Sequence, residues 1–395
     1  MKNSYYQAQT NTQVTGAKLI ASATVSSSST STSTSKSSTI TSSVSSSSSK
    51  TTATIRTSTS TTSAFVCTTS ASGWEVLGDL KNNGAKTPVG TNITGVLTGD
   101  AAEAKTDGGY TPPGARGSTA CKADVCCIWS YIAVDLQPFF LNSDGTCNQW
   151  ARRAVRLGFH DAAGWSKPNS LAGKDYGGAD GSIALSAEEA ARSENEGLED
   201  IIAKVQEWQT TYGVGMADLI QFVSNLGAVV CPMGPRVRTW VGRKDSSTPA
   251  PTGLLPAVTD SVDKIVCLFG DKTLSYTQLA ALLGAHSTSQ QFFVDPSKAG
   301  EPQDDTPGVW DTRYYQQHRP GQTAPSGVFQ FASDLGIAND TRTKSQWTSF
   351  AISGRAAWAA SYATAYVRLS LLGVNNMNNL TECSHVLPKA VLTFP

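Results

Sequence analysis

Residues 156–164 read RLGFHDAAG, with an arginine, a histidine and an aspartate set in an otherwise apolar run. The surrounding stretch 148–162, NQWARRAVRLGFHDA, has good helix formers and no internal proline, so it predicts an α-helix. Arg156 and His160 are four positions apart. They therefore project from one helix face about one turn, or about 6 Å, from each other, close enough to act on one small ligand. The same spacing also arises from a solvated arginine and a core histidine, and taken alone it favours that plainer explanation.

A second histidine changes the balance. In TQLAALLGAHS, Leu279, Leu282, Leu283 and His286 fall at i, i+3, i+4 and i+7, so His286 extends the buried stripe at the C-terminal end of a helix. The chain has four histidines. Two of them on apolar helical faces suggest opposite walls of a cofactor slot, the alternative being two unrelated core histidines. Oxygen-rich stretches accompany both. After Asp161 comes GGADGS, offering the Gly178 carbonyl, Asp180 and Ser182; after Ser287 comes DDTPGVWD, offering Asp304, Thr306 and Asp311. Carboxylates, hydroxyls and carbonyls in tight turns are the donors Ca²⁺ prefers. A Ca²⁺ at each place would pin the end of a histidine-bearing helix, although each stretch alone is also a plain turn.

From about residue 121 the chain reads as mostly helical. Leu198, Ile201, Ile202, Val205 and Trp208 recur at helical spacing, as do Leu219, Phe222, Val223 and Leu226. Trp347, Phe350, Gly354, Trp358 and Ser361 continue that period through one long Ala-rich segment. Residues 232–256 and 294–309, rich in Pro and Gly, read as long irregular connections.

Composition bounds the function. Hydrophobic residues make up 39% and charged residues 16% of 395, with Lys+Arg and Asp+Glu equal at 31. No charge excess exists to gather nucleic acid. No run of 18 apolar residues and no hydrophobic C-terminal tail is present, so no membrane span or lipid anchor is expected. From Ser26 to Ser63, 31 of 38 residues are Ser or Thr. Such a segment cannot bury enough apolar surface to offset its ordering entropy, so residues 1–66 are expected to be a disordered stalk, O-glycosylated or plain. Eight cysteines without a C-x-x-C pair, together with N-x-S/T sites at Asn92, Asn339 and Asn379, favour disulfides and an extracellular glycoprotein. Secretion is expected even though residues 1–25 show no signal-peptide core.

The stretch from about Cys121 to Pro388 resembles the secreted fungal heme peroxidases, class II of the plant peroxidase superfamily. Motifs agree in order: CCxW at 126–129, RLGFHDA, GGADGSI, NEGLEDI, CPMGPR, GR with PAPTGLLP, LLGAHS, DDTPGVWD, ASDLGIANDTRT and CSHVLP. The resemblance implies an all-α fold of two helical lobes around a non-covalent heme b, over residues 121–395. Residues 67–120 are left as a loosely structured N-terminal extension. It further implies Arg156 and His160 as the distal peroxide pocket, Phe159 beside the heme, and Asn195 as acceptor for the His160 ring. The Glu189 carboxylate would support Asn195. His286 is implied as the iron ligand and Asp334 as its hydrogen-bond partner. Two Ca²⁺ are implied: a distal one at Asp161, Gly178, Asp180 and Ser182, and a proximal one at Ser287, Asp304, Thr306, Val309 and Asp311. The implied bridges are Cys121 to Cys127, Cys126 to Cys383 and Cys147 to Cys231. Cys67 and Cys267 then remain and are expected to pair. The family's fourth bridge is expected to be absent, because Ser345 replaces its first cysteine.

The expected reaction is oxidation of phenols or other small aromatic reductants by hydrogen peroxide, one electron at a time. Departures from the family shape that expectation. Its manganese-binding acids are replaced by Asn148, Arg152 and Phe292, its surface tryptophan by Ala281, and a proximal aromatic by Gln303. His318 and His385 are read as structural or exposed, and the protein as a monomer with possible wall association through the stalk. The competing reading is a wall-associated calcium protein with weak catalysis that retains the fold. The complete set Arg156, His160, Asn195, His286 and Asp334 favours the enzyme.

Overall fold

The computed structural model describes residues 71–104 and 109–394. The expected stalk, 1–66, lies outside the described residues. Among the described residues, helices carry nearly all regular structure, and Trp240–Val241 paired antiparallel with Thr381–Glu382 is the one small sheet.

The helix Met216–Val230 is buried along its whole length. Its polar members are bonded: Gln221 Nε2 donates to the Gly158 carbonyl and to Asp161 Oδ2, both at 3.1 Å, and Asn225 Nδ2 donates to Thr239 Oγ1. Its N-terminus has no cap of its own. Asp245 supplies one, accepting from the Met216 and Ala217 N–H groups at 2.8 and 2.9 Å. The helix Gln149–Ala162 packs along it, started by Asn148, whose Oδ1 accepts from the Trp150 N–H. The two backbones meet closely at Gly158 and Gly227. A Cβ on Gly158 would sit 2.5 Å from Ser224 Cβ, and one on Gly227 would sit 2.8 Å from the Ala151 carbonyl oxygen. That approach fixes the depth at which the Arg156 and His160 side chains emerge.

The second histidine stands in a companion group, in which Tyr276–Leu283 packs on Arg355–Leu369 and Trp358 Nε1 donates to the Ala281 carbonyl at 2.9 Å. His286 is not on the α-helix, as its spacing suggested, but in the 3₁₀ turn Gly284–Thr288 that follows. The Gly284 N–H turns to the Ala281 carbonyl, an i to i−3 bond that tightens the helix before the histidine. The Ala-rich segment is also two helices rather than one, Lys344–Ser353 and Arg355–Leu369. Gly354 breaks it with φ 79°.

The expectation of loose structure over 67–120 is corrected for the described part. Gly78–Asn83 and Pro88–Thr98 are helices, and Leu80, Ile93, Val96 and Leu97 enter the common core. Asp79 accepts from the Met377 N–H at 2.7 Å and from Asn378 Nδ2 at 2.9 Å, while the buried Arg368 donates to the Glu75 and Leu97 carbonyls at 2.8 and 3.0 Å. Disulfides join Cys121 to Cys127, Cys126 to Cys383 and Cys147 to Cys231. Cys67 lies outside the described residues, and so does its expected pairing with Cys267. No single helix among the described residues is long and apolar enough to cross a membrane.

Because Ile93 is fully buried, Ile93→Ala is expected to lower unfolding stability by about 2–5 kcal/mol. Chemical denaturation checks this; an unchanged midpoint would mean that residues 71–104 are an appendage after all.

Candidate active site

On the Gln149–Ala162 helix, His160 Nδ1 lies 2.9 Å from Asn195 Oδ1, and Arg156 Nε lies 3.2 Å from His160 Nε2. An amide oxygen only accepts, so Nδ1 carries the proton and Nε2 presents a lone pair toward the guanidinium. Burial, then the charge of Arg156, pushes the His160 pKa down to about 3 against the opposing Asn195 bond. The imidazole is therefore a neutral base over the ordinary pH range. Arg156 keeps accessible surface but is ringed by protein, and this crowding lowers its pKa to about 10, leaving it cationic at neutral pH. Its Nη1 donates to the Glu196 carbonyl at 2.8 Å.

Asn195 is itself held, though not by the group expected. Its Nδ2 donates to the backbone carbonyl of Glu189 at 2.7 Å, whereas the Glu189 carboxylate accepts from the Ala250 N–H at 2.7 Å. The glutamate thus positions the asparagine through its main chain and anchors the 232–256 connection with its side chain.

Across the site, His286 Nδ1 is 2.8 Å from Asp334 Oδ2, which leaves Nε2 free of that bond with its lone pair available to a ligand. Asp334 is buried. Burial opposes its ionisation, but His286 and the bonds it receives hold its carboxyl below the usual range. The two histidine-bearing segments are tied together by Arg152 Nη2, which donates to Gln290 Oε1 at 2.6 Å. Phe159 stacks on Phe269 at 6.1 Å, and Phe331 meets His286 edge-on at 5.8 Å. An imidazole lone pair backed by a carboxylate, apolar rings and a separate base with a guanidinium form the setting of an iron porphyrin that handles a peroxide.

Comparison with known proteins decides the matter. The family model described as Peroxidase matches residues 139–353. The chain is 35% identical over 302 residues to a Peroxidase of Arthromyces ramosus, covering 71% of this chain and 82% of that protein. It is 35% identical over 301 residues to a Peroxidase of Coprinopsis cinerea, with the same shares. It is also 34% identical over 288 residues to Manganese peroxidase 3 of Phlebia radiata, covering 68% and 78%. The chain belongs to the fungal class II heme peroxidases. It is an oxidoreductase acting on hydrogen peroxide, with heme as its cofactor, and the residues described fit that group.

The other expected positions of the peroxidase fall as follows. Asp161 is fully buried, accepting from the Gly181 N–H at 3.0 Å and from Gln221. Asp180 Oδ1 accepts from the Ser182 N–H, and Ser182 Oγ is buried without a hydrogen bond of ordinary geometry. On the other side Ser287 Oγ donates to the Val309 carbonyl at 3.2 Å, and Thr306 Oγ1 donates to Asp311 Oδ2 at 2.9 Å. Asp304 Oδ2 is buried and unbonded. Each set brings two carboxylates together with hydroxyls and carbonyls; among the described residues no group of three or more His, Cys, Asp or Glu converges.

At the family's manganese position, Asn148 is spent as a helix cap, Arg152 is bonded to Gln290, and Phe292 is exposed. Ala281 is fully buried, and Trp74 alone among the tryptophans is exposed. Gln303 is buried, its Oε1 accepting from Ser289 Oγ and its Nε2 unbonded. Tyr314 escaped the sequence reading, and His318, read as structural or exposed, is buried against it. The Tyr314 hydroxyl donates to Asp334 Oδ2 at 2.8 Å, and His318, fully buried, places Nδ1 2.9 Å from the Tyr314 carbonyl. Only their i, i+4 spacing in YYQQH marks them in the sequence.

With the His160 pKa lowered to about 3, a reaction with peroxide that uses its neutral ring as base is expected to keep a level rate from neutrality into mild acid. It should then fall with one proton near pH 3. Rapid mixing across pH checks this, and a midpoint near the free-histidine value would contradict it.

Proposed function

We propose that Arg156, His160 and Asn195 cleave hydrogen peroxide and that the enzyme oxidises phenolic or other small aromatic donors outside the cell, with two Ca²⁺ holding the site. The observation that carries this reading is the neutral His160, fixed in one tautomer by Asn195 and facing Arg156. Bound heme, ligated by His286, supplies the iron that accepts oxidising equivalents from peroxide and releases them one electron at a time. Peroxide seated between Arg156 and His160 replaces their direct contact. Its proton moves to His160 Nε2 and returns to the oxygen that leaves as water. The Arg156 guanidinium, held by the Glu196 carbonyl, stabilises the negative charge growing on that oxygen. Asp334 keeps the His286 ring oriented and electron-rich.

The donor follows from what is missing. Hard Mn²⁺ needs carboxylates, and Asn148, Arg152 and Phe292 offer none. With Ala281 buried, the usual surface tryptophan does not exist either. Small donors that reach the heme edge remain.

The calcium reading rests on electrostatics. Burial and the neighbouring Asp180 raise the Asp161 pKa well above normal, and burial with Asp311 raises Asp304 to about 8. The guanidinium groups of Arg313 and Arg243 bond other carboxylates, Asp305 and Asp218. A divalent cation among these oxygens reverses the cost of ionising them. The disulfides seen among the described residues and the exposed Asn339 and Asn379 sequons support secretion, and the Ser/Thr-rich segment supports attachment at the wall.

Steady-state assays of the heme-loaded protein are expected to show turnover of simple phenols and no saturable oxidation of Mn²⁺; the reverse pattern would overturn the donor reading. A calcium chelator is expected to lower the melting temperature and release heme, and added Ca²⁺ to restore both. Unchanged melting after verified removal of Ca²⁺ would refute the cation sites.

A further inference from the structure

Behind the proximal histidine the core is built of contacting aromatic rings. Tyr314 lies 5.8 Å from His286 between ring centroids, 5.2 Å from Trp347 and 5.4 Å from Tyr315. Tyr315 continues to Trp358 at 5.5 Å, and Trp358 stacks on Trp310 at 5.2 Å with 5° between planes. All five side chains are fully buried. Electrons cross such short gaps between ring edges readily. Trp and Tyr are also the side chains most easily oxidised by one electron, and tyrosine only when its proton has somewhere to go. A buried phenol that gives up an electron needs an acceptor for its proton. Asp334 Oδ2, 2.8 Å away, is that acceptor. Tyr315 has no carboxylate partner, its hydroxyl donating to the Ala280 carbonyl.

We propose that Tyr314 is an internal electron donor to the peroxide-oxidised heme, used when no external donor arrives. The inference rests on His286 being the iron ligand. Tyr314 gives one electron to the oxidised cofactor, and its phenolic proton passes along the existing bond to Asp334 Oδ2. A neutral tyrosyl radical remains and the cofactor is reduced by one electron; peroxide, through the established reaction, is the oxidant. Among these rings only Tyr314 passes its proton to a carboxylate, so the hole rests there. With all of these rings buried, the ladder stores oxidising equivalents inside the protein and does not deliver them to a bulky donor.

The test is freeze-quench electron paramagnetic resonance of the full-length heme-loaded protein, mixed with one equivalent of peroxide and no donor. Wild type is expected to give a tyrosyl signal that narrows when ring-deuterated tyrosine is incorporated. Tyr314→Phe should lose that signal, whereas Tyr315→Phe should keep it. A protein that reacts with peroxide but forms no tyrosyl radical, or a Tyr314→Phe variant with the same radical, overturns the inference and leaves the heme assignment standing. If Tyr314→Phe does not fold, peptide mapping of radical-trap adducts in wild type decides. An adduct located on Tyr314 itself by peptide fragmentation supports the proposal, and adducts confined to other tyrosines, Tyr315 included, refute it.

Discussion

The hydrogen bond between His160 and Asn195 is the constraint on which the site depends, because it fixes which ring nitrogen presents a lone pair. Its geometry is inherited from a chain of further contacts. Asn195 is held by the Glu189 carbonyl, and Glu189 is held by the Ala250 N–H at the edge of the long connection. His160 rides on a helix whose depth is set where Gly158 and Gly227 let two backbones meet. Asp161, the next residue, is clamped by Gln221 from that same buried helix. A shift anywhere along this path would alter the direction of the Nε2 lone pair.

The proximal side follows the same logic with the signs exchanged. On the distal side burial and the charge of Arg156 keep the imidazole neutral while the Asn195 amide oxygen fixes its tautomer, whereas on the proximal side a buried carboxylate, Asp334, makes the imidazole electron-rich. The one ring type is suited to a base in one place and to a ligand in the other because its second nitrogen meets a different partner. The paired aspartates beyond each histidine, costly to ionise alone, make sense as cation sites that stiffen the same two segments.

Much of this was legible in the sequence, and for physical reasons. The helix around RLGFHDA has a clear cap, no breaker and an amphipathic face, so its existence follows from local rules. The roles of Asn195, His286 and Asp334 came from motif order, since their partners lie 35 and 48 residues away in the chain. What the sequence hid was made by contacts without a local signature. The docking of residues 71–104 depends on Arg368 reaching Glu75 and Leu97 from the far end of the chain. The break at Gly354 lay within an unbroken hydrophobic period. The Glu189 carboxylate turned to Ala250, which only the folded path of the 232–256 connection makes possible. Tyr314 looked like one more core aromatic until its hydroxyl met Asp334.

The central claim is that His160, not the cofactor alone, moves the proton that allows the O–O bond to break. Stopped-flow measurement of the second-order reaction of hydrogen peroxide with heme-loaded wild type and His160→Leu tests it directly. The account predicts that the variant binds heme with an unchanged proximal ligand and reacts slower by about 10²–10⁴-fold, the usual contribution of a positioned acid–base group. Equal rates in the two proteins would contradict it.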